Sequence, residues 1–488
     1  MSEEPSNAAT PSSRRSARTA IALLAGPLLA LLVLLLPPPQ DMPQEAWRLV
    51  ALAVWMVVWW LSEAVDIAVT ALLPIILMPL LGIAPIREVT ENYGHPLIFL
   101  FLGGFLLAIA MQNVGLHRRV ALAIVAKVGS SPARIVLGFM LATAFLSMWI
   151  SNTASTIMMY AVGLSVIDFV AGHTEDRGKA RTFGIALMLG IAYSASIGGV
   201  GTLIGTPPNA LLASFLASEY QITVDFFTWM LFGVPLVLVM LPLTWLLLTR
   251  LLYPAGAIDV GDPSRVVRSE LQALGSPSAH ETWVGLVFIL AALGWILRDP
   301  ISALTGLPLT DTTVAMTAAI LLFAVPIKGR RALTWESAKS LPWRILILFG
   351  GGLALAGGFG STGLAAWIGA QVASVEIETW LLILLVIGLI VYLTEITSNT
   401  ASTATFLPIL AAVAVGLDLD PRILTIPVAL GASMAFMMPV ATPPNAIVFS
   451  YEDLGLKDMV RAGFLLNLLA IALCFLTVQF LLRPILGL

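Results

Sequence analysis

Long windows nearly free of charge, among them residues 20–36, 226–248, 282–297 and 464–482, decide which solvent this chain folds in. Each is long enough to cross a hydrocarbon core of about 30 Å as a helix. Inside such a core every backbone N–H and C=O must find a partner within the protein, so apolar windows of this length are helices. Composition agrees, because 11% charged residues against 59% hydrophobic, with a mean hydropathy of +0.96, cannot cover a water-soluble globule of 488 residues. The expected fold class is an all-α polytopic membrane protein with about 11 transmembrane helices. A net charge of −3 points to no nucleic-acid partner. The single cysteine, Cys474, excludes an internal disulfide.

Residues 1–19, rich in Ser, Pro and Ala and ending in Arg14, Arg15 and Arg18, read as a disordered cytoplasmic tail. An uncleaved first span and an outer loop fill 20–46, since "LLLPPPQ" offers no small-residue cleavage site. The "SRR" lacks the residues that follow it in a twin-arginine signal. With the N-terminus inside, the stretches 14–18, 118–134, 177–181, 250–268, 328–344 and 457–461 are cytoplasmic and hold 20 of the 25 Lys and Arg. Arg48, Arg87, Arg298, Arg422 and Arg483 fall outside them. That bias supports a multi-pass protein of the inner (plasma) membrane with a cytoplasmic N-terminus.

The hexapeptide "SNTAST" lies at 151–156 and again at 398–403. Basic residues flank the segment 131–170 on both sides, so its two ends share one side of the membrane. It either crosses twice or dips in and returns as a re-entrant hairpin. Repetition decides for the hairpin. "FLFLGGFLLAIAMQNVGL" from Phe99 matches "ILFGGGLALAGGFGSTGL" from Ile347, pairing Gly103 with Gly351, Gly104 with Gly352 and Gly115 with Gly363. "TPPNA" occurs at Thr206 and at Thr442. Three blocks in the same order mark a duplication, with an extra loop, "AGHTEDRGKART", in the first copy. The first copy starts outside and the second inside, so the repeats are inverted, as in alternating-access transporters. The expected organisation is repeat 1 over 47–253, with a hairpin at 131–171 and a broken helix at 183–218. A cytoplasmic linker at 254–281 follows, then repeat 2 over 282–488, with a hairpin at 378–417 and a broken helix at 423–450.

Ser, Asn and Thr cap helix N-termini, and a hairpin tip joins a helix end rich in carbonyls to a helix start rich in N–H groups. A cation suits the first and an anion the second. The prolines of "TPPNA" cannot continue a helix regularly, so 206–209 and 442–445 are expected to be unwound, with Asn209 and Asn445 tying the broken helix together. Each motif alone has a plainer reading: polar glue between helices, a proline kink, or, for the glycine blocks, close helix contact. Four interruptions paired between inverted copies exceed what packing requires.

These doubled signatures, covering the chain from about Trp47, resemble the divalent anion:sodium symporter family, whose bacterial and animal members carry dicarboxylates and citrate. The resemblance implies a homodimer whose protomers combine a scaffold domain with a transport domain that moves like an elevator. It places a first sodium site at Ser147, Ser151, Asn152 and the carbonyl of Gly205, and a second at Thr394, Ser398, Asn399 and the carbonyl of Ala441. The substrate carboxylates would contact Asn152, Thr153, Thr206, Asn399, Thr400, Thr442 and Pro443. Every one of these positions keeps the family pattern. Sodium, a hard cation suited to hydroxyl, amide and carbonyl oxygens, is the expected coupling ion, with no organic cofactor. No Lys or Arg adjoins the motifs, so helix N-termini and bound sodium would neutralise a dianion, and the two cargoes are coupled.

Glu395 adjoins the second signature, where its counterpart is Met148. An acidic residue at this depth is a functional candidate. The favoured reading is that it accepts backbone hydrogen bonds which stabilise the outer hairpin, or sits in the outward vestibule. Glu63 and Asp66, in "SEAVD", are expected at the cytoplasmic interface, and His95 and His117 show no metal pattern. A membrane enzyme would need a nucleophile, metal cluster or acid/base pair, and a channel would need a continuous polar lining; neither is visible. The expected function is sodium-coupled symport of C4-dicarboxylates such as succinate, malate and fumarate. Exchange of di- or tricarboxylates, or transport of citrate or sulfate, are the alternatives.

Overall fold

The apolar windows fold as the helices Pro11–Leu35, Phe226–Leu246, Ala279–Ile296 and Leu456–Thr477 in the computed structural model, which describes residues 11–129, 131–174, 176–254, 262–373 and 376–487. Among the described residues the only strands are Pro326–Ile327 and Arg330–Arg331, paired antiparallel with Pro326 opposite Arg331. Nine helices among the described residues are long and apolar enough to cross a membrane. Six further apolar helices among the described residues are shorter, Ala20–Leu35, Ile67–Leu80, Pro132–Ser147, Asp311–Ala324, Thr379–Leu393 and Arg422–Ala432. Ile21, Leu35, Ile76 and Leu238 stand exposed on outer helices, whereas Arg177–Gly199 is buried almost all round. Outward-facing aliphatic side chains around a buried central helix suit a chain whose outer solvent is lipid.

Two expectations change. Residues 11–19, expected as tail, are helical and continue the first span from Pro11, while 1–10 lie outside the described residues. A proline at the start gives up an N–H that no helix turn needs, and Ala, Arg and Ser extend a helix once the apolar part has nucleated it. The expected linker 254–281 carries a helix of its own, Ser264–Ala273, and residues 255–261 lie outside the described ones. The next helix, Ala279–Ile296, then opens on a capping box in which the Ser278 hydroxyl accepts from Glu281 N and Glu281 accepts from Ser278 N.

The duplicated blocks take matching shapes. Gly115 and Gly363 cap the following helices, Leu116–Val128 and Leu364–Val372, with φ of 77° and 78°. That left-handed backbone explains why the matched blocks both keep glycine there. Both "SNTAST" copies start a helix directly after a short turn. Pro132–Ser147 leads into Asn152–Gly172, and Thr379–Leu393 leads into Asn399–Gly416. Both "TPPNA" copies follow a break, between Arg177–Gly199 and Pro207–Tyr220 and between Arg422–Ala432 and Pro443–Val448. The helices Phe226–Leu246 and Leu456–Thr477 each run on into a π turn, Leu247–Leu252 and Val478–Leu482.

Candidate functional site

The turns before the two hexapeptides carry hydroxyl and amide side chains into the protein interior. At the first turn the Ser151 hydroxyl caps its helix by accepting from Ala154 N at 3.2 Å. The Thr156 hydroxyl donates to Asn152 O at 2.7 Å, and its counterpart Thr403 donates to Asn399 O at 2.8 Å. The second turn differs, because Ser398 makes no cap hydrogen bond. There the Thr394 hydroxyl lies 2.6 Å from Asn399 Oδ1 and 3.0 Å from Ala432 O, and its one proton goes to the nearer amide oxygen. In the first copy the corresponding oxygens, Ser147 Oγ and Asn152 Oδ1, are buried without a partner among the described residues, as is Ser196 Oγ. Lone pairs buried without a donor are costly, and a hard cation is one group that satisfies them.

The prolines do not lie in the breaks, as the sequence suggested they would. Residues 200–206 and 433–442 are the unwound stretches, while Pro207 and Pro443 start the next helix with Thr206 and Thr442 as caps. The first turn of a helix has no use for the missing N–H, so Pro-Pro starts the second half of each broken helix. The asparagines behind them close the gap from the other side. Asn209 Nδ2 donates to Gly199 O at 3.2 Å and Thr202 O at 2.8 Å; Asn445 Nδ2 donates to Ala435 O at 3.2 Å and Met438 O at 3.0 Å. Backbone freed by the breaks is thereby satisfied inside the protein, as the bilayer demands.

Side chains outside the repeated motifs lock turns to breaks, by opposite means in the two copies. Thr202 donates its hydroxyl from the first break to Met148 O in the first turn. In the second copy Glu395, at the position of Met148, accepts from Phe436 N, Met437 N and Met438 N at 2.7 to 3.0 Å, and from Asn467 Nδ2 at 2.8 Å. Glu395 therefore serves the backbone, as the plainer reading had it, although the backbone it holds is that of the break. Sequence reasoning missed Thr202, Ser196 and Asn467. Only Asn467 gives a sequence signal, as a lone amide in the apolar helix Leu456–Thr477.

Turns and breaks meet at one cavity of about 890 Å³. Its wall includes Ser151, Asn152, Thr153, Gly205, Thr206, Ser398, Asn399, Thr400, Ala441, Thr442 and Pro443. Ser147 and Thr394 stand behind it, fully buried. The helices Asn152–Gly172, Pro207–Tyr220 and Asn399–Gly416 all begin at this wall, so three N-terminal dipole ends face the same space. Two charged residues line it, Glu63 and Arg344; both are exposed, as are Ser62 and Ser340 beside them, and this exposed polar rim marks its mouth. Arg344 is paired there with Asp66 at 2.9 Å. The cavity thus offers hydroxyls, amides, carbonyls and helix starts, with no ammonium or guanidinium group at its inner wall. His95 caps the helix that begins at Pro96, His117 contacts Met111 O, and no group of three or more His, Cys, Asp or Glu side chains placed to hold a metal occurs among the described residues.

Gly205 is fixed by close approach. A Cβ there would lie 2.4 Å from Gly199 O, so any side chain pushes the two arms of the break apart. Gly205→Ala is expected to destabilise the protein by about 1–3 kcal/mol, read as a lower melting temperature in detergent. An unchanged melting temperature would mean that the break relaxes freely.

The sequence matches the family described as the sodium:sulfate symporter transmembrane region over residues 17–488. It is 43% identical over 479 residues to the sodium-dependent dicarboxylate transporter SdcS of Staphylococcus saprophyticus, covering 96% of this chain and 92% of that one. The protein of the same name from Staphylococcus aureus (strain bovine RF122) is 42% identical over 483 residues, covering 97% and 93%. Among solved structures, the YdaH transporter of Alcanivorax borkumensis superposes with a TM-score of 0.56 at 15% identity over 82% of this chain and 88% of that one. MtrF of Neisseria gonorrhoeae gives 0.53 at 16% identity over 80% and 83%. At such identities these two speak for the fold alone.

Proposed function

The chain belongs to the sodium:sulfate symporter transmembrane family, and from that premise we propose that it is a secondary transporter carrying C4-dicarboxylates together with sodium. One observation carries the choice of cargo: two matched halves, each with a Ser-Asn-Thr turn and a Thr-Pro-Pro break, line one cavity from which cationic side chains are absent except at the mouth. Two equivalent halves suit a ligand with two equivalent carboxylates. The names of the Staphylococcus relatives support the same cargo.

In this reading sodium binds at Ser147, Ser151, Asn152 and the Gly205 carbonyl, and at Thr394, Ser398, Asn399 and the Ala441 carbonyl. The dianion lies between them against Asn152, Thr153, Thr206, Asn399, Thr400, Thr442 and Pro443. The cations and the helix starts supply the positive field that no Lys or Arg provides, so each cargo raises the affinity for the other. The two turn-linked helix pairs are re-entrant hairpins in inverted repeats, and the site moves across the inner membrane by an elevator motion within a homodimer. The N-terminus is cytoplasmic and the cavity mouth at Glu63 and Arg344 faces the cytoplasm, where the basic residues cluster.

Purified protein in proteoliposomes is expected to take up labelled succinate down a sodium gradient and not down a potassium gradient. Unlabelled malate and fumarate should compete, with citrate, α-ketoglutarate and sulfate tested beside them. If no anion of this panel moves with any cation gradient or in exchange for an internal anion, the proposal fails.

A further inference from the structure

At the end of the molecule opposite the cavity mouth, three charged side chains join two groups of helices. The first group bears the site. The Phe226–Leu246 helix packs against Pro132–Ser147, Arg177–Gly199 and Leu456–Thr477. The second group has Ala279–Ile296 and Asp311–Ala324 packed against each other and against Pro96–Asn113. Thr312 donates to Pro96 O at 3.0 Å, so Asp311 lies beside the start of Pro96–Asn113, while Gln112, near its end, lines the cavity. The charges and the mouth therefore occupy opposite ends of the same helices.

The junction is built closely. Asp225 caps the Phe226–Leu246 helix, accepting from Thr228 N at 2.7 Å through Oδ1, and its Oδ2 meets Arg298 Nη2 at 3.3 Å. Arg298 Nη1 reaches Asp311 Oδ1 at 3.2 Å, and Asp311 Oδ2 accepts from Phe226 N at 2.8 Å. Trp295 Nε1 donates to Asp311 O at 3.0 Å. Side-chain exposures of 18% for Arg298, 19% for Asp225 and 7% for Asp311 shelter the pairs from screening by salt. Beneath them Phe226 stacks on Trp295 with ring centroids 4.5 Å apart. Trp149, in the turn between Ser147 and Ser151, stacks on Phe226 at 6.0 Å and meets Phe288 edge-on at 4.8 Å. The second turn has nothing equivalent, since Ile396, the counterpart of Trp149, is 72% exposed and lines the cavity.

We propose that Asp225, Arg298 and Asp311 form an ionic latch that holds the protein in the state whose cavity opens at the Glu63 and Arg344 end, and that the latch must part in every transport cycle. The inference rests on the elevator reading. If the site-bearing helices slide past the second group, Asp225 loses its partner Arg298 and Phe226 N loses its acceptor Asp311, while Arg298 keeps Asp311 and Asp299. The bond between Asp225 and Arg298 ties the helix that Asp225 caps to Arg298 directly, so its strength sets how much of the population rests in this state.

Asp225→Asn tests the latch without unpicking the fold, because asparagine caps a helix as well as aspartate does and only the charge is lost. The background carries Cys474→Ala, which removes the sole cysteine, and Ile396→Cys as a reporter in the cavity. A membrane-impermeant maleimide is applied to intact cells and to inverted vesicles, and the two labelling rates are compared. Asp225→Asn and Arg298→Gln are expected to raise the outside-to-inside ratio by about tenfold, the scale of losing one partner of a partly buried charge pair. A ratio unchanged in both variants, in a protein labelled from both sides, overturns the latch and leaves the elevator standing. Labelling from one side only in every background, including with sodium and succinate present, overturns both.

Discussion

Replacing Asn152 by alanine is expected to bring sodium-driven succinate uptake down to that of empty liposomes, a loss of at least about 100-fold, since loss of even an indirect support of an ion site costs 10- to 100-fold. Asn152 Oδ1 is buried, has no partner among the described residues, and belongs to a residue on the cavity wall. In the proposed site the Asn152 amide serves both cargoes, Oδ1 turned to the cation and Nδ2 donating to the anion, so one truncation removes two contacts. Folding should survive. The Ser151 cap and the bond from Thr156 to Asn152 O do not involve the amide and continue to start the helix. The second copy makes a useful comparison, because Asn399 Oδ1 already accepts from Thr394. Asn399→Ala removes the amide and leaves the Thr394 hydroxyl to Ala432 O, and it should be as inactive. Uptake is measured against sodium concentration on monodisperse protein. Near-normal uptake in both variants would sink the site assignment.

Glu395→Ala is expected to cost at least about 3 kcal/mol of stability, the largest loss anticipated from any single truncation, read as a melting transition in detergent. The carboxylate accepts from three consecutive backbone N–H groups of the second break and from Asn467. Without it those donors stay buried and unpaired, each at a cost of about 1–3 kcal/mol. Glu395→Gln keeps one acceptor but turns an NH₂ toward donors, so its loss should fall between that of alanine and the parent. The bond from Asn467 adds a further check, as Asn467→Leu should lower the melting temperature less than Glu395→Ala. Were Glu395→Gln to melt normally while its sodium dependence shifted, the carboxylate would be acting on the ion instead of on the break.

The membrane class, the doubled turns and the doubled breaks were legible because each rests on local chemistry. A window of 17 residues such as 20–36 has no stable solution in lipid except a helix, and that follows from composition alone. The ties made by Asn209 and Asn445 were also foreseeable, since each amide reaches back only 7 and 10 residues. The prolines were misplaced for an equally local reason. Pro-Pro disfavours a helix interior and favours a helix start, and the four letters "TPPN" fit either until Thr206 and Thr442 are seen as caps.

By itself the sequence determined that the chain is a bundle of membrane helices and that two copies of one polar signature interrupt it, because hydrophobic length and repeated letters are properties of short stretches. Only the tertiary structure decided what holds those interruptions in shape. Thr202 and Met148 are 54 residues apart and Glu395 and Asn467 are 72 apart; the junction between the helix groups, Asp225 with Arg298, likewise spans 73. None of these pairs has a counterpart in the other repeat that would have announced it. Unpaired polar groups inside a bilayer are costly wherever they arise, and each copy met that cost with whichever side chain the fold brought within reach.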